Sequence, residues 1–99
     1  MVEEGQLGVK SVIVVPKRED IKGYSCRILR IDAKGAKSFH KHEREHVVFV
    51  LSGKIRVETD TEFKEARSGR IIYIPSGLIH RFVNITSRRT NIMVQNLFM

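Results

Sequence analysis

All four histidines of the chain fall into two short stretches. His40, His42 and His46 lie between Gly35 and Gly53, and His80 lies between Gly69 and Asn84. His40 and His42 are two residues apart, a spacing that on a β-strand puts both imidazoles on one face. Buried together, two such rings need a shared partner, because an unpaired buried polar ring is costly. A divalent metal is such a partner, and imidazole ligates Zn, Cu, Fe, Ni and Mn. His46 follows the Glu43-Arg44-Glu45 connector at the start of the next strand, from which it can face the same point. His80 comes three residues after Gly77 in the sequence Pro75-Ser76-Gly77, a turn that presents it at the end of its strand. A lone histidine is most often a surface or hydrogen-bonded residue, and a single HxH is ambiguous. Four histidines of four, in two turn-bounded stretches, favour a metal site.

The elements that must position these side chains read as strands. Ser11 to Val15 is a β-branched run stopped by Pro16, which suits a sheet edge. In Tyr24 to Asp32, alternation puts Tyr24, Cys26, Ile28 and Arg30 on one face and Ser25, Arg27, Leu29 and Ile31 on the other. An arginine on each face leaves one able to point into a polar cavity. Ala33 to Ala36 reads as a turn around Gly35. Further strands are expected over Lys37 to His42, Val47 to Leu51, Lys54 to Asp60, Glu62 to Ala66, Arg70 to Ile74, Leu78 to Asn84 and Thr90 to Phe98. No stretch keeps a helical period. About eight to ten short antiparallel strands at regular spacing predict an all-β sandwich or barrel. There is no repeat, linker or low-complexity segment, so residues 1–99 are expected to form a single domain.

Composition narrows the class further. Of 99 residues only 7 are aromatic and none is Trp, so Val, Ile and Leu must build the core. Cys26 is the sole cysteine, which excludes an internal disulfide and suits a reducing, cytoplasmic setting. The first residues, Met-Val-Glu-Glu-Gly, show no basic then apolar leader, and the longest apolar runs are far too short for a membrane span. The net charge is +7, and after Glu65 the chain carries Arg67, Arg70, Arg81, Arg88 and Arg89 with no acid. No nucleic-acid motif accompanies that charge, so a small anionic molecule is a more credible partner than a duplex. The edge run Ser11 to Val15 and the final strand around Ile92 to Phe98 offer backbone for pairing with a second copy, which predicts a homodimer.

The two histidine stretches together resemble the paired motifs of the cupins. Gly69, Pro75, Gly77, His80 and Asn84 meet every spacing of the second cupin motif. Gly35, His40, His42 and Gly53 match the first, with the opening glycine one residue closer to the HxH than usual. Motif 1 spans residues 35–53 and motif 2 residues 69–84. The resemblance implies a cupin jelly-roll β-barrel with a metal bound by His40, His42, His46 and His80, and with Asn84 bracing a loop. The chain departs from the pattern at His46, where the family usually has Glu. Imidazole there makes the ligand set neutral, which favours an anionic substrate. Glu45 is the competitor, one register step away. Metal affinity is expected to fall as pH drops toward about 6, because imidazole must be neutral to ligate.

Two functions of different class follow. One is a metal-dependent dioxygenase or isomerase acting on a small, perhaps anionic, organic molecule. The acid and base candidates beside the metal are thin: Tyr24, Cys26, Arg30, Tyr73 and Gln95. The other is a non-catalytic cupin module that binds a small molecule or a metal.

Overall fold

The computed structural model describes residues 7–15, 23–36, 39 and 44–97, and within residues 7–15 the only side chain described is that of Val9. These residues form eight strands: β1 (Leu7–Val15), β2 (Tyr24–Ala36), β3 (Glu45–Ser52), β4 (Lys54–Thr59), β5 (Phe63–Arg67), β6 (Ile71–Ile74), β7 (His80–Val83) and β8 (Thr90–Leu97). Every pairing is antiparallel. The path runs β5-β4-β7-β2-β8-β3-β6, with β1 on β2 beside it. The chain is therefore all-β, a nearly closed antiparallel barrel of seven strands with β1 paired outside it, slightly below the eight to ten strands expected of the barrel. No helix among the described residues is long and apolar enough to cross a membrane.

The long strand β2 joins the two sides of the barrel. Tyr24 to Ile31 pair with β8, and Ala36 pairs with Val83 of β7. The expected turn at Ala33 to Ala36 is instead strand, bent at Lys34 with φ of 62°. The bend is held from below by Asn84, which is wholly buried at 0% exposure. Its Nδ2 donates to the carbonyls of Ile31, Asp32 and Arg88, and its Oδ1 accepts from the Thr86 amide and hydroxyl. The Asn84 amide also donates to the Gly35 carbonyl at 2.9 Å. Asn84 thus braces a loop against a strand. The expected strand Lys37 to His42 lies, apart from Phe39, outside the described residues.

The strand β8 lies between β2 and β3, so both of its edges are already paired. This corrects the expectation that the final strand offers backbone to a second copy. That expectation came from the chain's end, whereas sheet position is set by long-range pairing. Only β1 keeps the predicted edge character, and it starts at Leu7, earlier than Ser11.

Inward-facing residues form the core: Val9, Leu29, Ile31, Val48, Val50, Ile55, Val57, Ile74, Phe82, Ile92 and Val94. Among the described residues Phe82 is its one aromatic, and each fully buried aliphatic side chain contributes about 1.5–3 kcal/mol. On the outer face of β4, charges pair across strands. Arg56 lies opposite Glu65, and Glu58 lies opposite Arg81. Arg56 Nη2 reaches Glu65 Oε2 at 2.9 Å, Lys54 Nζ reaches Glu65 Oε1 at 3.0 Å, and Arg81 Nη2 reaches Glu58 Oε1 at 2.7 Å. Hydrogen bonds from Lys54 and Arg56 hold the Glu65 carboxyl below its ordinary value of 4.5.

Two predictions follow from this frame. Gly53 adopts φ of +85°, and a Cβ there would sit 2.5 Å from Thr90 Oγ1, whose hydroxyl bridges the amide and carbonyl of Lys54. Gly69 has the same φ but nothing within 4 Å. Gly53→Ala should cost about 2 kcal/mol or more and Gly69→Ala about 1 kcal/mol in urea unfolding; equal losses would refute the close approach at Thr90. Because Glu65 is depressed, its stabilisation is present above pH 4.5 and is lost as pH falls through its lowered value. The difference in unfolding midpoint between wild type and Glu65→Gln should vanish in acid and shrink in molar salt.

Candidate functional site

Strand register places the site on the barrel's inner face. Ser25, Asn96, His46 and Ile74 stand side by side across β2, β8, β3 and β6. The next row inward is Arg27, Val94, Val48 and Ile72. Because side chains alternate, His46, Val48 and Val50 face the core while Glu45 and Val47 face out.

His46 is 4% exposed and His80 3%. Their ring centroids are 5.1 Å apart and the planes meet at 66°. Phe82 packs against His80 edge-on, at 5.7 Å between centroids. The Nδ1 of His46 lies 2.5 Å from Asn96 Oδ1, and the Nδ1 of His80 lies 2.8 Å from the Leu78 carbonyl. Both oxygens can only accept, so each Nδ1 carries a proton, and in the neutral ring the lone pair is on Nε2. Asn96, itself 5% exposed, is oriented in turn by donating from Nδ2 to Ser25 Oγ at 3.1 Å. This is the outer-shell hydrogen bonding that fixes imidazole tautomer and aim in metal sites.

The ring separation is compatible with two imidazoles on one divalent ion and is also that of an edge-to-face ring contact. Two imidazoles sharing an ion through Nε2 at ~2.1 Å, with an angle of about 90–110° between them, would have centroids roughly 4.5–5.2 Å apart. The observed 5.1 Å falls in that interval. Among the described residues no group of three or more His, Cys, Asp or Glu converges. His40 and His42, the other two sequence-predicted ligands, lie outside the described residues.

Glu45, the competitor to His46, faces the other way. Its carboxylate takes a hydrogen bond from the Tyr73 hydroxyl, which raises the Tyr73 phenol above its ordinary value. The acid and base candidates are likewise displaced. Cys26, Gln95, Val47 and Tyr73 form one row on the outer face, with Tyr24 and Arg30 sharing that face of β2. Burial, and then the neighbouring Cys26, raise the Tyr24 phenol. None of these five stands with the histidine pair, because strand parity puts them on the opposite side of the sheet.

Two features were less visible in the sequence. Ser25 and Asn96 orient His46, yet they stand 71 residues apart and only the β2–β8 register joins them. Arg27 takes the inward position that alternation allowed, and its charge is felt by Arg44, the residue before β3. Partial burial, and then the Arg27 charge, lower the Arg44 guanidinium from its usual value. A pocket of about 220 Å³ opens between β4–β5 and β6, lined by neither histidine. Its walls include Val57, Thr59, Ile72, Ile74 and Leu78. Thr59 is the register partner of His80, and Ile74 that of His46.

The barrel, the inward histidines and the two turn-bounded stretches belong together: the chain is a member of the cupin domain family, whose pattern matches residues 27–95. It is similar to the uncharacterized protein SCO3923 of Streptomyces coelicolor, with 28% identity over 65 residues. That match covers 66% of this chain and 62% of the relative's length. Among solved structures, the polyketide cyclase RemF of Streptomyces resistomycificus superposes with a TM-score of 0.84 at 22% identity, covering 96% of this chain and 68% of that one. The cupin domain of an XRE family transcriptional regulator from Enterobacter cloacae gives 0.81 at 16% identity, covering 94% and 99%. At these identities the structural likeness shows the fold.

The hydrogen-bond chain to His46 is open to test. Asn96→Leu would leave the His46 Nδ1–H buried without that acceptor and should cost about 1–3 kcal/mol. In wild type the Nδ1 proton should give a slowly exchanging NMR signal that is lost in Asn96→Leu. A variant as stable as wild type would remove Asn96 from the role.

Proposed function

We propose that this cupin binds a divalent metal through His40, His42, His46 and His80 and uses it on a small organic molecule. The observation that carries the reading is the buried His46–His80 pair. Each ring is hydrogen-bonded through Nδ1, which leaves Nε2 as the ligand nitrogen of the neutral imidazole, and the ring centroids are 5.1 Å apart. The first-motif spacing supplies His40 and His42. Imidazole ligands suit Mn, Fe, Ni, Cu or Zn. Bound there, such an ion would act as a Lewis acid or, for a redox metal, support oxygen chemistry, which places dioxygenase and isomerase reactions first. The chain's own contribution is to hold the imidazole tautomers, exclude water with the apolar rows around Val48 and Phe82, and seat the organic part of the ligand in the 220 Å³ pocket.

A non-catalytic binding module is the second reading. It is favoured by the outward placement of Tyr24, Cys26, Arg30, Tyr73 and Gln95, which leaves the candidate acids and bases away from the histidines. Similar folds serve both classes: RemF is a polyketide cyclase, and the Enterobacter cloacae domain comes from a transcriptional regulator. Aerobic turnover assays on the metal-loaded protein separate the two readings. As for assembly, a homodimer would use the β1 edge, where one row of backbone groups faces away from β2. A monomer in light scattering at micromolar concentration would end that proposal.

Elemental analysis of untagged protein tests the metal. Near-stoichiometric divalent metal is expected in wild type and in Glu45→Ala, with a loss of about tenfold or more in affinity for His46→Ala. Equal metal content in wild type and His46→Ala would overturn the assignment.

A further inference from the structure

The seam of the barrel carries two charges that the cross-strand pairs do not absorb. β5 and β6 follow one another in the chain through the turn at Ser68 and Gly69. They are nevertheless the two ends of the strand path, and among the described residues they do not pair. The 220 Å³ pocket opens between them. Its walls are apolar: Val57 and Ile74 belong to the core, and Ile72 and Leu78 pack against it. Its rim holds Glu62 and Lys64, two residues apart and so on one side of the hairpin. Lys64 stands opposite the buried Val57, whereas Glu65 stands opposite Arg56 on the outer face. On that outer face Lys54 and Arg56 meet Glu65, and Arg81 meets Glu58. Glu62 and Lys64 enter no ion pair among the described residues, not even with each other. The Glu62 backbone is held in a tight turn. Its carbonyl accepts from the Thr59 amide at 2.8 Å, and its amide donates to Thr59 Oγ1 at 3.1 Å.

We propose that this pocket binds a free apolar α-amino acid, with its side chain against the apolar walls, its ammonium on Glu62 and its carboxylate on Lys64. The charges of the rim select that class. An apolar acid would bring its carboxylate beside Glu62, and an apolar amine would bring its ammonium beside Lys64, like charge against like in each case. A molecule that carries both charges at one end of an apolar body balances both side chains. Residues two apart on a strand are about 6.6 Å apart. The ammonium and carboxylate of one α-carbon bridge such a gap with a hydrogen bond at each end, and both bonds are of the stronger, charge-assisted kind. The volume agrees. Drug-sized ligands occupy sites of roughly 300–1,000 Å³, and 220 Å³ suits a smaller molecule, of the size of leucine or phenylalanine. The inference deepens the proposed function by naming the organic molecule. It rests on that reading only for what a metal does with the molecule, since neither histidine lines the pocket.

Calorimetric titration with L-leucine and L-phenylalanine tests the site. Each is compared with its amide, which lacks the carboxylate, and with its deaminated acid, which lacks the ammonium. Amino acids also chelate metals, so the protein is titrated as purified and after chelator treatment, with its metal content measured both times. Wild type is expected to bind at least one of the two amino acids about tenfold or more tightly than either analogue, in both samples. Glu62→Gln should erase the preference over the deaminated acid and keep the preference over the amide, and Lys64→Gln should do the opposite. Both side chains are exposed, so neither variant threatens the fold. Glycine, with no side chain for the apolar walls, should bind more weakly than both amino acids. An amino acid bound no better than its analogues or than glycine, no amino acid bound at millimolar concentration, both preferences surviving in both variants, or a preference lost with the metal would each overturn the proposal. The crossed pattern in wild type that carries no metal as purified keeps the amino-acid site and removes the metal reading. Bound metal without the crossed pattern does the reverse.

Discussion

The hydrogen-bonded row from Ser25 through Asn96 to His46 ties the candidate site to the fold. Burying an imidazole in a core of Val and Ile is unfavourable unless its polar atoms are matched. Asn96 accepts from His46 and donates to Ser25, so three residues on three adjacent strands are satisfied in sequence. The match holds only in one register. A slip of one residue between β8 and either neighbour would turn every inward side chain outward. The same register that seats Ile92 between Leu29 and Val50 therefore seats Asn96 between Ser25 and His46. Packing and polar matching specify one alignment, and neither can be changed without the other.

The second anchor works on the other side of the barrel. His80 stands at the first position of β7, and β7 pairs with both β4 and the end of β2. The position of β7 depends on where β2 bends, and Asn84 fixes that bend with its amide group and its backbone. The two histidines thus come from opposite sides of the barrel, each with its own carboxamide support. One support aims a ring directly, and the other sets the strand that carries a ring. The 5.1 Å separation is the result of both.

Much of this was legible in the chain. Alternation in Lys54 to Asp60 and in Tyr24 to Asp32 predicts which residues face inward, and the structure agrees for Ile55, Val57, Leu29 and Ile31. The same parity places His46 inside and Glu45 outside. What alternation cannot supply is the identity of neighbours across strands. Asn96 reads as an ordinary polar residue near the end of the chain, and its role comes from a partner 50 residues away. Ala33 to Ala36 reads as a turn because glycine and lysine there resemble one. The strand continues because β2 exchanges one partner for another at that point, a long-range event with no local signature. Misplacing β8 at an edge has the same origin.

The charge of the chain also gains meaning from the fold. A net charge of +7 is only a sum, and the sum hides two different environments. Across β5, β4 and β7 the cations alternate with glutamates in direct cross-strand pairs, an arrangement that contributes little per pair in water and is readily screened. Inside, near His46, the local dielectric is lower and a charge is felt more strongly. Arg27 occupies that environment, half-buried on β2, whose register against β8 the Ser25–Asn96–His46 row helps to fix. A register slip of β2 that turned Arg27 outward would also break that row.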